Sequence, residues 1–357
     1  MSLLSQGGRG TAALVVLLGV TASACGARTE IPVGFFTTVA RDGGGGSVDG
    51  GSKPDGTVPP LPDGAASNDA SCGNPWVVFI LSSGAQGQTL FALRSAGKDG
   101  HTVPLPAADP SFPWISTDGA TLVYTTESGG ALHLHHFADG SDTTVATGTG
   151  PTGQVVGGFA ALAPNGLGLA YSTTQGLVYV PLATGVATLL VPSTAVGALG
   201  DAPAFPTFTL DSQNIVFGTR VAIGEVATAG PSGSGQFLLA NPEGFVGIDN
   251  ATLSPDQSTL IAGVACPLGT YALRSYPFAA LPLDCASGTI VTTMTSPGPV
   301  PFYPTWGPSG LIAYWDAEQD IMLVPAAGGT PTNLTQGLTG GGVTATMPAW
   351  APACTKL

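Results

Sequence analysis

The stretch PTWGPSG at residues 304–310 is one of six copies of a short motif that decides the fold of this 357-residue chain. Each copy has Pro or Ala, any residue, a large apolar residue, a small residue, often Pro, and then a turn-forming residue. The copies occupy residues 113–119, 160–166, 206–212, 251–257, 304–310 and 348–354. Their third positions lie 44 to 53 residues apart, which is typical of four-stranded propeller blades. This period predicts an all-β, six-bladed β-propeller.

The two ends of the chain share one blade in this interpretation. The sixth motif copy stops at Cys354, where a turn and a second strand should follow, and residues 74–81 form a strand-like run with no motif copy in front of it. An open ring would leave strand edges without partners. We therefore expect the N-terminal and C-terminal strands to pair in a single sheet that closes the ring.

Two sets of motif residues have structural explanations. Asp and Asn at the turn positions are expected to bond their own backbone, and the large apolar residues are expected to pack between blades. The turn residues are Asp118, Asn165, Asp211 and Asp256, and the packing aromatics are Phe208, Trp306 and Trp350.

The motif followed by a strand, as in ATLSPDQ at residues 251–257, resembles the TolB-type repeats of bacterial periplasmic propellers. The resemblance covers residues 72–357 and implies a WD40-like propeller of the cell envelope. TolB carries a separate α/β domain before its propeller, and here a linker occupies that place.

Composition excludes several classes of protein. The chain has 53 Gly and 31 Pro, which penalise helix interiors and exclude a long-helix or coiled-coil protein. Nine Lys and Arg against 22 Asp and Glu give a net charge of −13. Nucleic acid and anionic membrane surfaces are therefore poor partners.

The N-terminus predicts export. Residues 11–22 (TAALVVLLGVTA) form an apolar run that is shorter than the roughly 20 residues of a membrane span and fits a signal peptide over residues 1–24. The following Cys25 resembles the lipid-attachment cysteine of a bacterial lipobox, although an ordinary A-x-A cleavage site explains the same residues. Residues 25–71 are rich in Gly, Asp, Pro and Ser and predict a flexible linker.

The five cysteines predict one acylated residue and two disulfides. Lipidation of Cys25 leaves an even number, as an oxidising compartment favours. Cys72 and Cys354 bracket the missing turn of the shared blade and are expected to pair, while Cys266 and Cys285 would pair within one sheet. Four buried free thiols are the alternative.

No catalytic residues can be assembled from the sequence, and we expect no cofactor. His133 and His135 share one strand face and could contact a metal, with Asp139 as the closest carboxylate, although a polar strand face is the simpler interpretation. Asp109, Asp201 and Asp249 precede innermost strands and are weak candidates for a Ca²⁺-type site at the channel mouth. Solvated loop carboxylates explain them equally.

Two functions follow. The first is a monomeric, non-catalytic envelope module, held at the membrane through its lipid alone, that binds a protein or a glycan across the propeller. The alternative is a metal-dependent hydrolase or lactonase that uses the channel mouth, as six-bladed lactonase-type enzymes do.

Overall fold

The computed structural model describes most of the chain from residue 73 onward. The described residues are 73–84, 87–126, 130–146, 155–195, 203–219, 222–229, 236–240, 247–265, 271–280, 283–284, 287–293 and 303–357. The predicted signal peptide, Cys25 and the linker lie outside this part of the chain. Among the described residues, no helix has the length and apolar character needed to cross a membrane.

Twenty-five strands form the described structure, with short 3-10 segments such as Phe278–Ala280 between them. The first thirteen strands are β1 (Trp76–Ser83), β2 (Gly87–Arg94), β3 (His101–Thr102), β4 (Pro110–Ile115), β5 (Thr121–Thr126), β6 (Leu132–His136), β7 (Asp142–Ala146), β8 (Val155–Leu162), β9 (Gly168–Thr173), β10 (Gly176–Pro181), β11 (Thr188–Pro192), β12 (Ala204–Phe208) and β13 (Asn214–Gly218). The remaining strands are β14 (Ala222–Ala227), β15 (Gln236–Ala240), β16 (Gly247–Leu253), β17 (Thr259–Ala265), β18 (Tyr271–Pro277), β19 (Leu283–Asp284), β20 (Thr289–Thr293), β21 (Thr305–Trp306), β22 (Leu311–Trp315), β23 (Ile321–Pro325), β24 (Thr332–Asn333) and β25 (Val343–Ala351).

In the described part of the chain these strands form six sheets, which confirms the predicted six-bladed propeller. The blades have the strand orders β25-β1-β2-β3, β4-β5-β6-β7, β8-β9-β10-β11, β12-β13-β14-β15-β19, β16-β17-β18-β20 and β21-β22-β23-β24, and we number them one to six in that order. Neighbouring strands are antiparallel apart from β19, which joins blade four in parallel with β15. Apolar side chains fill the spaces between blades.

The predicted closure of the ring is confirmed. β25 is the innermost strand of blade one, and its neighbour β1 pairs with it antiparallel, with Trp76 opposite Ala351 and Val77 opposite Trp350. β1 pairs on its other side with β2 along its full length. Both edges of β1 therefore have a hydrogen-bonded neighbour, and the neighbour on one edge is the C-terminal strand β25.

The motif turns take the form that the sequence predicts. In four blades the Asp or Asn side chain accepts a hydrogen bond from the backbone N–H two residues further on, which fixes the turn between the first and second strands. The acceptors are Asp118, Asn165, Asp211 and Asp256, at 2.9 to 3.0 Å. These turns lie at the end of the propeller where the innermost strands finish.

The motif aromatics pack between neighbouring blades, as expected. Trp350 of blade one donates its indole N–H to the carbonyl of Thr305 in blade six at 3.0 Å. A Cβ at Gly307 would lie 2.5 Å from the Trp350 ring, so the small residue in the motif makes room for the aromatic of the next blade.

An arginine ties the two ends of the described chain together. One guanidinium nitrogen of Arg94 donates to the carbonyl of Asn74 at 2.5 Å and to the carbonyl of Ala353 at 2.7 Å. Cys72 lies two residues before Asn74, and Cys354 directly follows Ala353. This arrangement agrees with the predicted Cys72–Cys354 disulfide. Because Cys72, Cys266 and Cys285 lie outside the described residues, both pairings stay predictions.

Replacing Cys72 and Cys354 together by Ser should lower the free energy of unfolding by an amount on the order of 5 kcal/mol, since the bond closes nearly the whole propeller. Urea denaturation measures this loss. The matched control is the Cys266→Ser, Cys285→Ser double variant, whose shorter loop predicts a smaller loss of about 3 kcal/mol. A peptide map under non-reducing conditions that links Cys72 to Cys266 would show the pairing to be wrong.

Candidate functional site

Six equivalent residues converge where the innermost strands meet at the propeller axis. Each one directly precedes a motif copy, and each is half-buried. They are Phe112, Phe159, Phe205, Asn250, Tyr303 and Met347, and all six line one opening. We call this set the channel collar. Five of its six members are aromatic or otherwise apolar.

The four aromatic rings of the collar contact one another across the axis. Phe159 lies at the centre, with ring centroids 4.3 Å from Phe112, 3.8 Å from Phe205 and 5.7 Å from Tyr303. Tyr303 also packs edge-on against Trp315 of blade six, at 4.9 Å. Side chains from four different blades therefore form one apolar cluster at the centre of the channel.

The collar residues occupy β-bulges. In blades one to five the register between the innermost strand and its neighbour shifts at the collar residue. A bulge turns one residue out of the regular alternation and re-aims its side chain. The same irregularity, repeated around the ring, directs these side chains to the axis.

Four collar residues have a left-handed backbone conformation, which is rare for residues other than Gly. Their φ angles are +49° at Phe112, +54° at Phe205, +39° at Tyr303 and +56° at Met347. All four precede a proline, whereas Phe159 and Asn250 precede alanine. The first residue of a classic β-bulge usually has a right-handed helical backbone conformation. A following proline disfavours that conformation. The left-handed conformation at these four residues costs about 1–3 kcal/mol each.

The described lining of the opening is mainly apolar. The described lining residues include no Asp, Glu, His, Lys, Arg or Cys. The opening has a volume of about 60 Å³, far below the roughly 300–1,000 Å³ of sites that enclose a drug-sized ligand. The opening therefore offers an apolar contact surface with few polar groups.

Asp109, one of the acidic residues suggested by the sequence, is not among the residues that line this opening. Asp109 directly precedes β4, and its Oδ1 lies 3.5 Å from the backbone nitrogen of Gln88 in the β1–β2 hairpin. Asp249 lies within β16, opposite Gly263, and not before the strand as expected. Asp201 lies outside the described residues.

The sequence carries one signal for the channel collar: each collar residue stands directly before a copy of the motif.

The histidine pair lies as predicted, but its carboxylate neighbour differs. His133 and His135 share a face of β6, and the carboxylate that faces them is Asp142 on β7. Asp139 instead accepts the backbone N–H of Ser141 at 2.9 Å. Hydrogen bonds from Ser141 hold the pKa of Asp139 below its usual value. Expecting Asp139 was wrong because the turn residue bonds its own backbone, while Asp142 stands opposite His135 in the sheet.

A second acidic group, not identified from the sequence, lies at the β22–β23 turn. Asp316, Glu318 and Asp320 bring carboxylate oxygens within 4.8 Å of one another. Asp316 accepts the backbone N–H groups of Glu318 and Asp320 at 3.0 Å. Asp320 accepts hydrogen bonds from the side chains of Asn333, Thr335 and Thr339. These contacts explain the two aspartates as turn-stabilising groups.

Comparison with known proteins identifies the fold and no more. No protein-family model matches the chain, and no curated protein matches it. TolB from Acinetobacter baumannii superposes with a TM-score of 0.61 at 15% identity, covering 78% of this chain and 67% of that one. A structure of a nidogen–laminin complex contains a chain that superposes with a TM-score of 0.56 at 10% identity, covering 80% of this chain and 100% of that one. A TolB-like six-bladed propeller is therefore the shared architecture.

The backbone strain of the collar can be tested with matched substitutions. At Phe205, whose φ is +54°, Gly should be more stable than Ala by about 1 kcal/mol, since Gly adopts the left-handed region without strain. At Phe159, where φ is not positive, the order should reverse, with Gly less stable than Ala by about 0.5–1 kcal/mol. Chemical denaturation of the four variants measures both differences. The same order of stability for the Gly and Ala variants at both positions would contradict backbone strain at Phe205.

Proposed function

We propose that this protein is an exported propeller, tethered at the cell envelope, that binds a segment of another protein at its channel collar. The observation that supports this proposal is the convergence of six equivalent half-buried residues, five of them apolar, on one opening. Apolar clusters of this kind, rich in aromatic side chains, are typical centres of protein–protein contact.

The rigidity of the collar supports a role in recognition. Left-handed backbone at non-glycine residues is costly and collects at functional sites. Here a proline follows each of the four left-handed residues and narrows the range of backbone conformations open to it. A surface already held in its binding conformation loses less entropy on association, which favours affinity.

The composition of the opening favours a peptide segment over a glycan. Hydrogen-bonding side chains in the lining are limited to residues such as Asn250, Thr252, Thr305 and Tyr303, whereas sugars carry hydroxyl groups that need many such partners. A peptide segment with apolar side chains could use the aromatic rings directly. The hydrolase or lactonase alternative has no carboxylate, histidine, lysine or cysteine among the described lining residues to support it.

Photo-cross-linking tests the binding surface. We expect p-benzoylphenylalanine at Phe205, which preserves an aromatic side chain in the collar, to form covalent adducts with a protein in cells of the native host. The matched control places the same group at Leu167, which is 64% exposed and lies in the turn that follows the innermost strand of blade three. Adducts are detected by gel shift and identified by mass spectrometry.

The outcomes distinguish the partner classes. An adduct at Phe205 that is absent at Leu167 and resists glycosidases supports a protein partner. An adduct whose mass falls on glycosidase treatment would favour a glycan. Equal labelling at both positions, or none at Phe205, would contradict binding at the collar.

The envelope tether rests on Cys25 and the linker after it. A lipid on Cys25 and about 45 residues of Gly-rich, Asp-rich chain would hold the propeller away from the membrane while leaving it free to rotate. The mature protein should begin at a diacylglyceryl-modified Cys25, which mass spectrometry of its N-terminal peptide detects. Cys25→Ser should move the protein out of the membrane fraction. An unmodified N-terminal Cys25 would show the lipid tether to be wrong.

A further inference from the structure

We propose that His133, His135 and Asp142 form a binding site for a first-row divalent metal ion, with Zn²⁺ as the best match, at the outer strands of blade two. This site is separate from the channel collar. It rests on the placement of three ligand-type side chains on one face of two neighbouring strands.

Strand geometry places the three groups together. His133 and His135 stand two residues apart on β6, so their side chains lie on the same face of the sheet. Asp142 is the first residue of β7 and pairs directly with His135, while His133 pairs with Thr144. Directly opposed residues in an antiparallel pair have Cβ atoms about 4.5–5.5 Å apart. Asp142 is therefore within reach of both imidazoles.

The contacts converge on the carboxylate of Asp142. Nδ1 of His133 lies 2.7 Å from Oδ1, and Nδ1 of His135 lies 3.6 Å from Oδ2. The side chains of His133, His135 and Asp142 are only 12%, 8% and 12% exposed. In a tetrahedral zinc site with ligand bonds of about 2.0–2.2 Å, two donors lie about 3.3–3.6 Å apart. The His135–Asp142 separation of 3.6 Å matches that spacing, whereas the 2.7 Å between His133 and Asp142 is shorter and would lengthen as the ion enters.

The buried nitrogen of His135 is the observation that points to a ligand. Its Nδ1 is buried and makes no hydrogen bond with the described residues, because 3.6 Å to Asp142 is too long for one. A buried polar atom without a partner is costly. A cation between this nitrogen and the carboxylate would satisfy it. As the side chains stand, not all three donor atoms lie within 4.8 Å of one another, so the imidazoles would turn toward the ion on binding.

A neighbouring tyrosine holds the carboxylate in position. Tyr124 is fully buried, stacks on His133 with ring centroids 5.0 Å apart, and donates its hydroxyl to Oδ2 of Asp142 at 2.7 Å. Hydrogen bonds to ligating side chains of this kind orient them for a metal.

The donor set selects the class of metal. Two imidazoles and one carboxylate suit zinc and its first-row neighbours, whereas Ca²⁺ takes six to eight oxygen ligands. Three protein ligands leave one zinc position for water. The ion would join the outermost strand β7 to β6 and so stabilise the edge of the blade.

Titration of the full-length, untagged Cys25→Ser chain with Co²⁺ and Zn²⁺ tests the proposal. Co²⁺ should bind one per chain, with visible absorption typical of a four-coordinate site, and Zn²⁺ should displace it. His135→Gln and Asp142→Asn should each weaken binding by about tenfold or more. The control is His136→Gln, because His136 lies on the same strand but is exposed, with its Nδ1 3.2 Å from the hydroxyl of Thr121.

Thermal unfolding without metal shows whether each variant is folded. A further variant, Tyr124→Phe, removes only the hydroxyl group that donates to Asp142. Binding retained in His136→Gln, reduced in Tyr124→Phe and reduced further in His135→Gln would support the site. No saturable binding by the unsubstituted protein up to about 1 mM metal would overturn it. Equal affinity in the His135→Gln and His136→Gln variants would also overturn it.

Discussion

Backbone pairing between β1 and β25 is the interaction on which the rest of this structure depends. A propeller in which these strands were apart would expose two strand edges and open the ring at blade one. The pairing joins residues more than 250 positions apart, so it forms against a large loss of chain entropy. Arg94, stacked on Trp76, adds side-chain contacts to the same junction by binding carbonyl groups from both ends.

Closure also creates the channel collar. Each blade contributes one residue, which in blades one to five lies at a bulge in the innermost strand, and only a closed ring brings all six to one axis. The prolines of the motif give this arrangement its rigidity, because they restrict the backbone of the residue before them. The same short motif therefore serves two parts of the propeller. Its acidic residues form the turns at the end where the innermost strands finish, and its first residue directly follows the collar residue.

Polar side chains of the described structure fall into groups with separate roles. Asp118 and its equivalents accept backbone hydrogen bonds within their own turns. Asp320 accepts hydrogen bonds from neighbouring side chains. The group on blade two differs, since a nearly buried imidazole faces a carboxylate without a hydrogen bond of its own. The unbonded imidazole nitrogen of His135 therefore marks a candidate ligand site, whereas the carboxylates of the turns already accept hydrogen bonds.

The sequence by itself determined the repeat, the number of blades, the turn residues and the shared first blade, because these follow from local turn chemistry and from a period of about 45 residues. It also placed His133 and His135 on one face, since side-chain alternation is a property of the strand. Only the tertiary structure decided which carboxylate meets the histidines, because that depends on the register of β6 and β7. The collar likewise required the structure, since its residues are distant in sequence and meet only where bulges and ring closure aim them at one point.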